Sequence, residues 1–270
     1  MKIFSDLRLF GLIAIFTMLH TACKTQKTNH NTDTDHEFKI LTYNIHHANP
    51  PSKPEAIDIE AICKVIQQSD ADVVALQEVD IQTDRSGKID QAKLIAEKLG
   101  MSYHFFKAID YDDGEYGLAF LSKLPIRNPE NISLPQVVKA EGRTLALLQV
   151  KVKDKWIYIA NTHLDASRSD KNRVAQMKFI LEKTAGLNLP VILCGDLNSI
   201  PTSETIRLLD TQFKRTCMDD CLPTSPQANP RRTIDYIATK NLSWKQKSIE
   251  VIAETYASDH RPVKVVFGID

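Results

Sequence analysis

Along much of the chain, a short apolar run rich in Val and Ile stops abruptly at a cluster of acids, amides and imidazoles. Lys39–Tyr43 leads into Asn44, Ile45 and His46, and Val73–Leu76 into Gln77 and Glu78. Trp156–Ala160 leads into Asn161, Thr162, His163, Leu164 and Asp165, and Val191–Cys194 into Gly195, Asp196, Leu197 and Asn198. Asp235 is embedded in Ile234–Ile237, and Ser258, Asp259 and His260 precede Val263–Phe267. Runs this short and this β-branched predict buried strands. Leu118–Leu121, Leu145–Val152 and Ile249–Ile252 predict further strands, with a hairpin at Lys153, Asp154 and Lys155. Helical spacing predicts helices over Ile57–Gln68 (Ile59, Ile62, Ile66), Gln91–Leu99 (Leu94, Ile95, Leu99) and Asp170–Thr184 (Val174, Met177, Leu181), and a short one over Pro201–Leu209. The mixture excludes a helical bundle and predicts packed sheets with helices outside. Polar residues at the ends of neighbouring strands then meet at one edge, where a rigid scaffold aims them into a cleft.

The first 36 residues break this pattern. Met1–Ala22 has Lys2 and Arg8 at its front, the apolar stretch Leu9–Leu19, and Thr21-Ala22 as a small-residue cleavage site. It reads as a secretory signal, too short to span a bilayer comfortably. LHTAC, ending at Cys23, resembles a bacterial lipobox, with His20 where an aliphatic residue is usual. The expectation is a lipidated Cys23 and a chain anchored in the cell envelope, outer membrane or periplasm-facing; the alternative is an ordinary cleaved signal beside a chance cysteine. Residues 23–36 contain no large apolar residue and read as a tether, leaving 37–270 as the folded domain.

Composition adds limits. Apolar residues at 43% and charged ones at 25% exclude disordered and fibrous classes. A formal charge of zero argues against a protein that coats nucleic acid. Cys63 and Cys194 fall in apolar surroundings and read as buried thiols. Cys217 and Cys221 are compatible with a disulfide in an oxidising compartment, and a metal pair fits them less well.

The strand-end acids carry the chemistry. Glu78, Asp196, Asp235 and Asp259 repel one another if gathered, and a fold tolerates that when a cation or a protonated His sits among them. Oxygen ligands without zinc-type Cys or His spacing point to Mg2+, with Mn2+ the alternative. Each residue also has a plainer reading: Glu78 as a surface charge, Asp196 and Asn198 as turn formers, His163 and His260 as loop residues. His46 and His47 read as loop residues without a role, and Asp84 and Asp165 as solvated acids. No G-x-S-x-G elbow and no phosphate-cradling glycine loop occurs among only nine glycines.

Taken in order, LTYNI, VVALQEVD, YGLAFLSKLPI, EGR, NTHLD, CGDLNS, IDYIA and SDHRPV resemble the endonuclease/exonuclease/phosphatase superfamily, from about Lys39 to Phe267. The resemblance implies a four-layer α/β sandwich, deoxyribonuclease I-like, with two packed mixed sheets flanked by helices. It implies a metal held by Glu78 and Asp259 with Asn44 beside it. It implies that Asp196 and Asn198 position water and phosphate, that Asp235 and His260 form a carboxylate–imidazole dyad, and that His163 contacts phosphate. Glu115 is placed to pair with His163, as in deoxyribonuclease-like members. Leu118 stands where relatives carry a polar residue. Arg85 and Arg143 are candidates for phosphate contact or for structural ion pairs. The expected activity is metal-assisted hydrolysis of a phosphodiester or phosphomonoester by a monomer. A small or lipid-derived substrate is favoured over duplex DNA. The alternatives are a nuclease, a sphingomyelinase-like phospholipid phosphodiesterase, and a non-catalytic envelope lipoprotein.

Overall fold

A computed structural model describes residues 36–269 of the chain. The signal segment, Cys23 and the tether before His36 lie outside the described residues.

Two parallel strand pairs, each with a crossover helix, organise the molecule. The first is β1 (Glu37–Asn44), α1 (Ile59–Ser69) and β2 (Val73–Ile81). Asp58 starts α1 by accepting the Ala61 N–H at 2.9 Å, and Ile59, Ile62 and Ile66 are buried as their spacing predicts. After α2 (Gln91–Leu99) come β3 (Ser102–Tyr111), β4 (Gly114–Ser122), β5 (Ile126–Ser133) and β6 (Thr144–Val152). The second parallel pair is β7 (Lys155–His163), α3 (Lys171–Ala185) and β8 (Val191–Asp196). It is followed by α4 (Glu204–Leu209), β9 (Lys214–Arg215), β10 (Asp235–Lys240), β11 (Lys245–Val251) and β12 (Val263–Gly268).

These strands form two six-stranded mixed sheets. Their orders are β11-β12-β1-β2-β4-β3 and β5-β6-β7-β8-β10-β9, with a parallel pair at the centre of each. Alternation divides each central strand between two cores. Phe38, Ile40, Val73 and Ala75 of the first sheet meet Ile157, Ile159, Ile192 and Cys194 of the second between the sheets. The opposite faces, Leu41, Tyr43, Val74 and Leu76 on one side and Leu193 and Tyr236 on the other, pack under the helices. This is the expected four-layer α/β sandwich. Among the described residues no helix is long and apolar enough to cross a membrane.

β3 and β5 were not predicted, and β11 starts four residues before its apolar end. All three are edge strands, and all are half-exposed or exposed along most of their length. β5 even contains Pro129, which an edge strand accommodates because one of its sides needs no ladder hydrogen bonds. The expected hairpin is present, with Lys153 and Asp154 as its turn. Cys63 and Cys194 are buried free thiols, and Cys217 is disulfide-bonded to Cys221.

Candidate active site

The polar strand ends gather at one end of the sandwich. In the second sheet the alignment is a matter of register: His163 pairs with Asp196 across β7 and β8, and Asp196 with Asp235 across β8 and β10. Ladder neighbours on one face stand side by side, so three functional groups come together with regular strand geometry. Gly195 permits it. Its φ is +147°, and a Cβ there would stand 2.0 Å from the Thr162 carbonyl oxygen, so a side chain would force β7 and β8 apart.

The first sheet reaches the same place by irregular means. The register of β2 against β4 shifts between Leu76 and Val79, and Glu78 lies in the bulge with φ +57°. A bulge of this kind re-aims a side chain, here toward the cleft. Asn44, at the end of β1, donates from Nδ2 to Glu78 Oε1 at 2.9 Å and to Asp196 Oδ2 at 3.1 Å, so one amide ties the two sheets together. Its Oδ1 accepts the His46 N–H at 3.0 Å. Beneath it, Gln77 donates to Thr42 Oγ1 at 3.0 Å and to Asn161 Oδ1 at 2.7 Å, a buried polar plug between the sheets.

Asp196 is the hub. It is 1% exposed, with Oδ2 3.5 Å from His163 Nε2 and 3.7 Å from His260 Nε2, while Oδ1 accepts the Asn198 N–H at 2.9 Å. His260 Nδ1 is 2.9 Å from Asp235 Oδ2, and Thr224 Oγ1 donates to that same oxygen at 2.5 Å. Ser258 donates to the Asn44 carbonyl at 2.7 Å and fixes the segment that carries Asp259 and His260.

Charges differ sharply between these neighbours. Burial, then the adjacent Asp235 charge, pushes the Asp196 carboxyl up to about 7. Burial works against a charged His260, but Asp235 and Asp196 outweigh it and hold the imidazole well above its ordinary value. His163 goes the other way, well below, through burial and the charges of Arg143 and His260. The site therefore holds a cationic imidazole and a neutral one on either side of a single carboxylate. Burial also raises Glu78, helped by the Asp259 charge. That shows how the set fits a divalent cation: buried like-charged carboxylates without one carry a penalty that a cation removes.

The cleft has a volume of about 310 Å³. Arg85, Tyr111, Tyr116, Arg143 and Glu141 wall it, with His46 and His47 beside Glu78. Arg85 makes a two-pronged ion pair with buried Asp80, at 2.7 and 2.8 Å, and lies 4.4 Å from the Tyr111 ring centre. Arg143 bonds Glu141 at 2.9 Å and contacts His163 Nδ1 at 3.2 Å. Both arginines are thus ion-paired and also face the cleft. A second, mostly apolar cavity of about 320 Å³ opens beside the disulfide loop and reaches the far side of Thr224 and Asp235.

The structure brings Asn44, Glu78, His163, Asp196, Asn198, Asp235 and His260 together. Asp259 stands slightly apart: half-buried, it contacts Ser258 Oγ at 3.5 Å and acts on Glu78 through its charge. Three expectations need correction. Glu115 does not pair with His163; it bonds Lys107 at 3.1 Å, because alternation along β4 sends its neighbour Tyr116 into the cleft instead. Asp165 is buried, not solvated, and accepts from Ser167 Oγ. His46 and His47, read as loop residues without a role, line the cleft beside Glu78. Leu118 is buried in the inter-sheet core. Thr224, Ser258, Tyr111 and Tyr116 were missed. Ser258 lies in SDHRPV and Tyr116 opens YGLAFLSKLPI, whereas Thr224 and Tyr111 carried no sequence signal.

A layered sandwich that gathers carboxylates, amides and two unlike imidazoles at its strand ends defines a hydrolase site of the phosphoester-cleaving class. The family model for the Endonuclease/Exonuclease/phosphatase family matches residues 41–260, and the chain belongs to that family. A putative neutral sphingomyelinase of Drosophila melanogaster is 28% identical over 72% of this chain and 46% of its own length. The uncharacterized protein YbhP of Escherichia coli K12 is 25% identical over 84% of this chain and 94% of its own. Against another curated relative, the angel homolog 2 of Danio rerio, the chain spans 35% of that protein's length. Among solved structures, a mannosyl-6-phosphatase from Bacteroides thetaiotaomicron superposes with a TM-score of 0.70 at 22% identity, over 86% of this chain and all of that one.

Proposed function

We propose that the chain hydrolyses a small or lipid-derived phosphoester with the help of a divalent cation, Mg2+ or Mn2+. The observation that carries the reading is Asp196, buried between neutral His163 and cationic His260 and joined to Glu78 through Asn44. Glu78 would hold the cation, Asp259 would add charge, and Asn44 would position the Glu78 carboxylate. When bound, the cation supplies Lewis-acid stabilisation of charge on the phosphoryl oxygens.

The chain's own residues account for the rest. Asp196 orients the attacking water and takes its proton, a task suited to a carboxyl near neutrality. His260, held cationic by Asp235, donates to a phosphoryl oxygen as negative charge grows, and His163 and Asn198 add further hydrogen bonds. Asp235 also fixes the ring orientation of His260 through Nδ1. Tyr111, Tyr116 and the cleft volume favour a compact substrate over duplex DNA, in keeping with the absence of net charge. The N-terminal segment supports a second part of the proposal: Cys23 is lipidated and tethers the domain to the cell envelope.

The test is a panel of nitrophenyl phosphodiester and phosphomonoester, sphingomyelin, inositol phosphates and plasmid DNA, each with Mg2+ and with Mn2+. Asp196→Ala and His260→Ala should each lower kcat/KM on the preferred substrate by roughly 10³-fold or more, about 4 kcal/mol of barrier, with unchanged circular dichroism. Wild-type-like turnover by both variants would falsify the assignment. Metabolic labelling with palmitate, lost in Cys23→Ser, tests the anchor.

A further inference from the structure

We propose that His46 and His47 join Glu78 as imidazole ligands of the cation, making a mixed nitrogen–oxygen site that prefers a first-row transition ion to Mg2+. The inference rests on the metal-dependent reading above and replaces the all-oxygen donor set expected of the strand-end acids. One ring nitrogen of each histidine and one oxygen of Glu78 lie within 4.8 Å of one another. An ion bonded at roughly 2.0–2.2 Å sets its ligands about 3–4 Å apart, so small side-chain rotations close the set.

Two further observations point to a ligand. His46 Nδ1 lies 2.9 Å from the Asn49 carbonyl oxygen. A proton on Nδ1 that is given to a carbonyl leaves Nε2 with its lone pair, the orientation that metal-bound imidazoles adopt. His47 Nδ1 is buried and makes no hydrogen bond, so that ring has capacity the protein does not use. The backbone is arranged to present both rings. His46, His47 and Ala48 have φ of +47°, +42° and +56°, three left-handed residues in succession. Continued strand alternation would send the two imidazoles to opposite faces. The left-handed run instead sets their ring centres 4.5 Å apart, and Gln91 Nε2 holds it by donating to the His47 carbonyl at 2.7 Å. Such conformations are strained and persist where the surroundings enforce them. Imidazole ligands suit first-row transition ions, whereas Mg2+ prefers oxygen and keeps its water.

The experiment is electron paramagnetic resonance of Mn2+ titrated into the full chain, with Mg2+ as competitor and spin-echo detection of nitrogen coupling. The expected result is bound Mn2+ with imidazole-nitrogen modulation and affinity at least 10-fold above that for Mg2+. His46→Asn and His47→Asn should each weaken Mn2+ at least 10-fold and reduce the modulation, while Mg2+ binding changes less than 3-fold. Asn tolerates left-handed backbone, so these variants keep the fold. Mn2+ bound without nitrogen modulation, at an affinity unchanged in both variants, overturns the imidazole ligands and leaves the phosphoesterase reading intact. Nitrogen modulation that both variants lose, in a protein that cleaves no phosphoester with either metal, supports the site while defeating the phosphoesterase reading.

Discussion

The parallel pairs β1–β2 and β7–β8 are built alike and finish differently. Each has a crossover helix, each lies at the centre of its sheet, and each ends in polar residues at the same end of the molecule. The second pair delivers His163 and Asp196 as ladder neighbours, with Asp235 next in line, through ordinary strand geometry and one obligatory glycine. The first pair delivers its groups through distortion: a bulge at Glu78 and a left-handed run at His46, His47 and Ala48. Groups that must stay in fixed contact, such as a carboxylate and its imidazoles, are held well by a rigid ladder. Groups that must converge on a point between strands require the backbone to leave the ladder.

Substitutions at the two tips test this contrast. The largest effect on stability should come from the regular tip. The Asp196 carboxyl has its pKa raised from an ordinary 3.8 to about 7 on folding, so the folded state binds the extra proton and stability falls as pH rises between those values. Asp196→Asn is neutral throughout. At pH 8 and without metal it should therefore be more stable than wild type, on the order of 2–4 kcal/mol by urea unfolding, and the gain should vanish near pH 4. A gain that persists at pH 4 would mean that something other than the buried charge is responsible.

The distorted tip should respond next. Ala48 is fully buried with φ +56°, where a β-branched residue is strained and has no room. Ala48→Val should cost about 2–3 kcal/mol, measured by thermal unfolding. If it is tolerated, the left-handed run is not rigid, and the proposed metal site loses its scaffold.

The smallest effect belongs to a single bond in the regular tip. Thr162 Oγ1 donates to the Thr144 carbonyl at 3.0 Å across β6 and β7. Thr162→Val removes that donor and should cost about 1 kcal/mol in urea unfolding, with kcat/KM within a few-fold of wild type. A large loss of activity would show that the ladder at His163 is softer than its register suggests.

Much of the architecture was legible along the chain because burial on two faces writes itself into strands such as Val73–Leu76 and Val191–Cys194 as unbroken apolar runs. β3 and β5 were not legible for the converse reason: an edge strand half in water has no such run, and only its neighbours make it a strand. At the site, residues within three places of the end of an apolar run (Asn44, Glu78, His163, Asp196) could be read as strand ends. His46 lies no further from its run than His163 does, but the backbone there leaves the strand, and nothing in the spacing of His46 and His47 announces three left-handed residues. Arg143 was legible as a possible phosphate contact, but its place beside His163 was not, because the pairing depends on how β6 and β7 lie together.

By itself, then, the order of side chains determined the strands at the heart of both sheets, the helices that cover them and the identity of the acids and imidazoles at their ends, since these follow from local periodicity and from the chemistry each residue carries. Tertiary structure alone decided which of them share a charge. The Asp196 carboxyl is pushed up to about 7, His260 is held well above its ordinary value and His163 well below, because of neighbours brought from distant parts of the chain and water excluded from between them. Electrostatic energies depend on separation and on the surrounding dielectric, and both are set only when the two sheets close on each other.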